Sequence, residues 1–246
     1  MGKPRQLKLH DLMLTPPPIE GVHILDIDNR EIAVTTWPSV TGYPWEHQPA
    51  EGWIVLCDEL PVRQELGLHC DSTHFVIGDP EFLWQPLIQT LFRAGDDDCH
   101  SLAMTIPNRV ESIEDLLVPV RRFLHEFLSP EPDETQTFEV LLVLRELTTN
   151  AILHGNKNSF DKKTGILLTY FPIEKKRRLQ MTVIDEGQGY DLPGALRRIR
   201  SEGELRERHR GLLILKTFCQ SIRVESGCVT VDYPMLAKGD RSQREE

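Results

Sequence analysis

The stretch Arg145-Glu146-Leu147-Thr148-Thr149-Asn150-Ala151-Ile152-Leu153-His154-Gly155 decides how the rest of this chain is read. It has the pattern of a helix ending at Gly155, an ordinary place for a C-terminal glycine. Glu146 and Asn150 are four apart and share one helix face, and His154 is one further step along it. Leu141, Leu142, Leu144, Leu147, Ile152 and Leu153 supply the apolar surface that packs such a helix on a sheet. A carboxylate beside a carboxamide suits one kind of chemistry. The Asn oxygen can ligate a hard cation such as Mg²⁺, and the Glu can take a proton or orient a nucleophile. Alone, E-x-x-x-N is more often a solvated helix face, so its meaning rests on its flanks.

Downstream, Gly165-Ile166-Leu167-Leu168-Thr169-Tyr170-Phe171 and Leu179-Gln180-Met181-Thr182-Val183-Ile184 read as two strands of an antiparallel hairpin. The cationic turn Lys175-Lys176-Arg177-Arg178 between them reads as a solvated tip rather than a nucleic-acid patch. The second strand runs into Asp185-Glu186-Gly187-Gln188-Gly189. Glycines there let the backbone approach a planar ligand and adopt φ > 0. Asp185 can accept a hydrogen bond from an exocyclic amine such as that of adenine. Residues 191 to 210 are rich in charge and lack apolar periodicity, the pattern of a mobile flap. The flap closes on an apolar helix, Gly211 to Phe218, whose N-terminus reads as an anion site. A final hairpin spans Ser221-Glu225 and Val229-Tyr233, and residues 237–246 are a polar tail.

Upstream, Ser101-Ile106 reads as a strand and Ser112 onward as a helix carrying Leu116, Leu117, Val120, Phe123, Leu124 and Phe127. Ser129-Pro130-Glu131-Pro132-Asp133 ends that helix. Ala94-Gly95-Asp96-Asp97-Asp98 reads as a domain boundary, since three like charges stay in water. Before it, residues 21–95 alternate short apolar strands with a helix opened by Asp79-Pro80, the pattern of a small α/β domain that senses or docks. Its closing strand–helix units resemble a degenerate receiver domain. Asp26 and Asp28 could be read as an acidic pair but suit solvated turns better. No acceptor Asp stands out, and Gly78-Asp79 stands where the Lys would fall. Residues 1–20, with Pro16-Pro17-Pro18, read as a flexible tail.

Composition narrows the function. The chain of 246 residues carries a net charge of −10, which argues against general nucleic-acid affinity. No apolar run reaches membrane-spanning length, and the N-terminus lacks a secretory core. The five scattered cysteines fit reduced thiols in a cytoplasm. His69-Cys70-Asp71 and Cys99-His100 lack C-x-x-C spacing, so no zinc site is expected.

Three phrases in fixed order carry a resemblance. They are E-x-x-x-N-A-x-x-H-G on a helix, D-E-G-x-G at a strand end, and R-G-L where a flap meets a helix. Over residues 100 to 236 they resemble the GHKL, or Bergerat-fold, ATP-binding module. They are most similar to the bacterial anti-sigma-factor serine/threonine kinases: Glu146-Leu147, Asn150-Ala151 and His154-Gly155-Asn156 follow that family's N-box. No histidine-bearing dimerisation helix pair precedes them, which disfavours a sensor histidine kinase, and the size disfavours a gyrase-like or chaperone ATPase.

The resemblance implies an α+β fold. The C-terminal half would be a Bergerat α/β sandwich, with a mixed, mostly antiparallel sheet and helices on one face. It implies ATP and Mg²⁺ as cofactors. Asn150 would ligate the Mg²⁺, and Glu146 would be the catalytic base that activates a partner's Ser or Thr hydroxyl. Asp185 would hold the adenine amine, with Gly187 and Gly189 lining the base. His154 joins this nucleotide-binding set, and Asn156 is a weaker candidate by proximity. Gly211 with its neighbours His209, Arg210 and Leu212 would cap the phosphates. The family usually has G-x-G-L at the flap's end, and here His209 replaces the first glycine. If that position is left-handed, His adopts it at a cost of roughly 1–2 kcal/mol; His209 and Arg210 could instead touch phosphate. Gly227-Cys228 also departs from the usual Gly-Thr. The implied partners are a STAS-type antagonist protein, a sigma factor or another regulator, and a second copy of the chain. A nucleotide-dependent partner switch without catalysis, or a scaffold, is the alternative.

Overall fold

The computed structural model describes residues 6–7, 23–27, 30–37, 52–61, 72–94, 98–172, 177–188 and 207–235. Their strands form one ten-stranded sheet in the order β1-β2-β3-β4-β5-β6-β7-β8-β10-β9. The first half contributes β1 (Gln6–Leu7), β2 (His23–Ile27), β3 (Arg30–Trp37), β4 (Gly52–Cys57) and β5 (Ser72–Ile77), then helix α1 (Pro80–Ala94). The second half has β6 (His100–Pro107), α2 (Ser112–Phe127), α3 (Glu134–Asn150), a π-turn (Ala151–Gly155), β7 (Lys163–Phe171) and β8 (Arg178–Asp185). It ends with α4 (Glu207–Phe218), β9 (Ser221–Glu225) and β10 (Cys228–Pro234).

Strands β3 to β6 are parallel neighbours, and β6 to β10 are antiparallel. The sheet is therefore continuous across the Asp-rich stretch at 96–98, with Phe75 opposite Leu102 and Ile77 opposite Met104. Gln6 and Leu7, in the stretch expected as a tail, pair in parallel with Ile24 and Leu25. The order of β2 to β6 is sequential, and β2–β3 is antiparallel; a receiver-type doubly wound sheet runs 2-1-3-4-5. Asp26 lies in β2, while Asp28 and the proline run at 16–18 are outside the described residues.

Side-chain alternation divides the core between the two sheet faces. One face carries Leu102, Met104, Ile166, Leu168, Met181, Val183 and Val231 against α2, α3 and α4, through Val120, Phe123, Leu144, Leu147 and Leu215. This is the α+β sandwich that the resemblance implied, its three helices on one face. The other face carries Val76, Ala103, Leu167 and Phe171 against α1, through Leu83, Trp84, Leu87 and Ile88. Gly165 permits that approach: a Cβ there would meet Phe82 Cε1 at 2.8 Å.

The helix ends are chemically specified. Asp79 Oδ1 accepts from the amides of Glu81 and Phe82 at the start of α1. Asp133 and Gln136 form a reciprocal capping box at the start of α3, with Asp133 Oδ1 accepting from the Gln136 amide at 2.8 Å. No described helix is long and apolar enough to cross a membrane.

Candidate functional site

Helix α3 delivers Glu146 and Asn150 as its last two turns, and both side chains are half-buried. Neither makes a hydrogen bond to another side chain among the described residues. The α-helix then widens. The Asn156 amide bonds to the Ala151 carbonyl at 2.7 Å, and the Asn158 amide to that of Ile152 at 2.8 Å. The first of these, spanning five residues, is the π-type bond of the turn, a feature concentrated at functional sites. His154 lies within this turn, and its side chain is exposed.

Gly155 was expected as the glycine that ends the helix, a position often left-handed. The left-handed positions instead are Lys157 and Asn158, at φ 55° and 56°. Gly155 serves clearance: a Cβ there would lie 2.3 Å from Asp185 Cγ. Gly187 serves the same purpose from the other side, since its Cβ would lie 2.3 Å from the Gly155 carbonyl oxygen. Gly227, with φ +65°, turns the last hairpin and passes close to the Asp185 carbonyl. Three glycines from distant parts of the chain thus cradle the end of β8.

Within that cradle Asp185 is half-buried. Its amide donates to the Gly227 carbonyl at 2.8 Å, and its Oδ1 accepts from the Gly187 amide at 2.7 Å. Its Oδ2 accepts nothing from the described residues. Burial pushes the Asp185 carboxyl above its ordinary pKa, against the Gly187 hydrogen bond and the Lys162 charge. A partly desolvated acceptor with one open oxygen is what an exocyclic amine donor requires.

Glu186 and Asn156 fix the turn. The Asn156 side chain is fully buried, and its amide nitrogen reaches Asn108 Oδ1 (2.9 Å), the Lys163 carbonyl (2.8 Å) and Thr164 Oγ1 (3.2 Å). Its Oδ1 accepts from the Glu186 amide at 2.8 Å. Asn156 is therefore saturated by protein and does not face a ligand; it ties the π-turn to β6, β7 and the Asp185 turn. Sequence reading missed Asn108, Thr164 and Lys163, because no local pattern marks partners 48 residues apart, the separation of Asn108 and Asn156.

Helix α4 supplies the opposite wall. It begins at Glu207, a turn before the expected Gly211. His209 and Arg210 thus have helical backbone, and no left-handed strain falls on His209. Gly211 again provides clearance: a Cβ there would sit 2.7 Å from Glu146 Oε2 and 3.5 Å from Asn150 Nδ2. Leu212 is buried in the core behind it. Gly189 and the flap at 191–206 lie outside the described residues.

The structure thus brings Glu146, Asn150 and Gly211 together, and Asp185, Gly187 and Gly155 together. From Glu146 to Asn150 the helix advances roughly 6 Å at 1.5 Å per residue, and the π-turn carries the chain on to Gly155 beside Asp185. Among the described residues no group of three or more His, Cys, Asp or Glu could hold a metal ion alone. The donor set fits Mg²⁺ held in the way that cation prefers, by one or two protein oxygens together with substrate phosphates.

Comparison with known proteins gives the same direction. Residues 110–233, half of the chain, match the family model of the histidine kinase-like ATPase domain. Over 98 residues the chain is 32% identical to the anti-sigma F factor of Shouchella clausii (strain KSM-K16), covering 39% of this chain and 64% of that protein. The chain therefore spans a little under two thirds of the curated relative it matches.

Proposed function

The chain belongs to the histidine kinase-like ATPase domain family, and from that premise we propose that it binds Mg²⁺-ATP and transfers the γ-phosphate to a Ser or Thr of a partner protein. The similarity to an anti-sigma F factor supports a regulatory partner, a STAS-type antagonist or a sigma factor, in a cytoplasmic partner-switching system. The single observation that carries the reading is the pairing of Glu146 and Asn150 against Gly211 at the C-terminal end of α3, from which the π-turn leads on to Gly155 beside Asp185.

Asp185 accepts the adenine amine, Gly187 and Gly189 line the base, and Gly155 leaves room for the Asp185 carboxylate. Asn150 would hold the Mg²⁺, which when bound neutralises phosphate charge. Glu146 takes the proton from the partner's hydroxyl as its oxygen bonds to the γ-phosphorus. The bond from that phosphorus to the β–γ bridging oxygen breaks, and ADP leaves. Such a reaction needs mainly positioning and charge neutralisation.

Calorimetry of Mg²⁺-ATP binding to the purified chain tests the pocket. Asp185→Ala should weaken affinity by at least about tenfold, the loss of one charge-assisted hydrogen bond; unchanged affinity would refute the adenine assignment. Glu146→Ala should abolish transfer to the partner and spare nucleotide binding. A wild-type chain that captures a partner with ATP but never phosphorylates it would select the non-catalytic switch instead.

A further inference from the structure

The family match begins at residue 110, yet the Asp185 turn is held from outside that segment. Three residues form a closed ring of hydrogen bonds. The Asn156 side-chain amide donates to the Lys163 carbonyl (2.8 Å), the Lys163 amide donates to Glu186 Oε2 (2.6 Å), and the Glu186 amide donates to Asn156 Oδ1 (2.8 Å). Lys162 Nζ adds a bond to the Glu186 carbonyl at 3.2 Å. The ring locks the residue after Asp185 to the first residue of β7.

Lys163 then reaches beyond the ring. Its Nζ pairs with Asp79 Oδ2 at 2.5 Å, the two residues lying 84 apart in sequence. Asp79 is itself a fixed post. Its amide donates to Thr105 Oγ1 on β6 at 2.7 Å, and its Oδ1 caps α1 through the amides of Glu81 and Phe82. Gly78 before it has φ +91° and no room for a Cβ beside Thr105. One turn into α1, Phe82 closes over Gly165. The hydrogen bond from Lys163 holds the Asp79 carboxyl below its ordinary pKa, so the pair stays charged at neutral pH.

We propose that Asp79, outside the segment matched by the ATPase family model, is a positioning residue for the nucleotide site: through Lys163 it fixes the Asn156–Glu186 ring that aims Asp185, so the N-terminal half helps set nucleotide affinity. This rests on the reading of Asp185 as the adenine acceptor.

The test is calorimetric binding of Mg²⁺-ATP and Mg²⁺-ADP to the full chain and to Asp79→Asn, Lys163→Met and the double variant, with thermal midpoints measured without nucleotide. Both nucleotides share the adenine end, so each single variant should lose affinity for both by the same factor, roughly three- to tenfold. The double variant should be no weaker than either single one, and Lys163→Arg should retain the wild-type value. The midpoints should barely move, because Lys163 is half exposed and an Asn at 79 keeps an oxygen to cap α1. Wild-type affinity in Asp79→Asn, additive losses, or a loss confined to ATP would overturn the inference. A wild-type chain that binds neither nucleotide would overturn the adenine reading beneath it, so the two failures are distinguishable.

Discussion

At the scale of single residues, the site is built from clearances as much as from functional groups. Gly155, Gly187 and Gly211 all sit where a Cβ would strike a side chain or carbonyl of the site itself. Gly155→Ala should displace the Asp185 carboxylate and lower ATP affinity by at least about tenfold, as overpacking at a close contact does. Calorimetry checks it, and unaltered affinity would show that the cradle yields freely. Asp185 carries a pH signature as well. Burial raises its carboxyl pKa, and an amine ligand needs the ionised form. Affinity should therefore fall as pH drops through the raised value, and Asp185→Asn should flatten that dependence. For stability the sign is opposite. A carboxyl whose folded pKa exceeds its unfolded one costs stability when ionised, and the cost is relieved on acidification. Asp185→Asn should thus leave the ligand-free thermal midpoint unchanged or higher while losing nucleotide. A lowered midpoint would mean that the charge supports the fold rather than the ligand.

At the scale of elements, the π-turn and the Asp185 turn depend on one buried amide. Asn156→Ala would remove the partners of the Glu186 N–H and the Lys163 carbonyl, while Asn108 Oδ1 keeps the Thr164 hydroxyl. Each unsatisfied buried group costs about 1–3 kcal/mol, so chemical denaturation should show a loss of at least about 2 kcal/mol. A loss under about 1 kcal/mol would mean that water or neighbours replace the ring. The elements themselves were largely legible from sequence. Helical spacing marked α2 and α3, alternation with turn chemistry marked the β7–β8 and β9–β10 hairpins, and Asp79-Pro80 marked the start of α1. Glu146, Asn150 and Asp185 were legible because each stands at a fixed offset within one element. The reasons behind the glycines were not. A left-handed stop and a clearance look identical in sequence, and only the packing of β8 against the π-turn tells them apart. The helical residues before Gly211 were missed because Glu207-Arg208-His209-Arg210 is polar throughout and carries no apolar periodicity.

At the scale of the whole molecule, the Asp-rich stretch that reads as a boundary does not interrupt the sheet. Strands β5 and β6 pair through it, and α1 covers Ala103 and Leu167 of the second half along with Val76 of the first. Local charge marks where a chain stays wet; it does not say which strands find each other afterwards. A shared sheet and a shared core layer should unfold together. The chain supplies its own reporter, because its four tryptophans, Trp37, Trp45, Trp53 and Trp84, all precede residue 98, while the nucleotide site lies wholly beyond it. Tryptophan fluorescence therefore follows the half that does not touch the ligand. If unfolding is one transition, Mg²⁺-ATP must raise the fluorescence-detected midpoint as much as the one detected by far-UV circular dichroism. At a hundred times Kd the stabilisation is about 2.7 kcal/mol by mass action, large enough to resolve in either signal. A fluorescence midpoint that stays put while the circular dichroism midpoint rises would show that the two halves unfold separately despite the continuous sheet. Coincident shifts would mean that anything bound by the N-terminal half is energetically linked to the nucleotide site, since linkage is reciprocal.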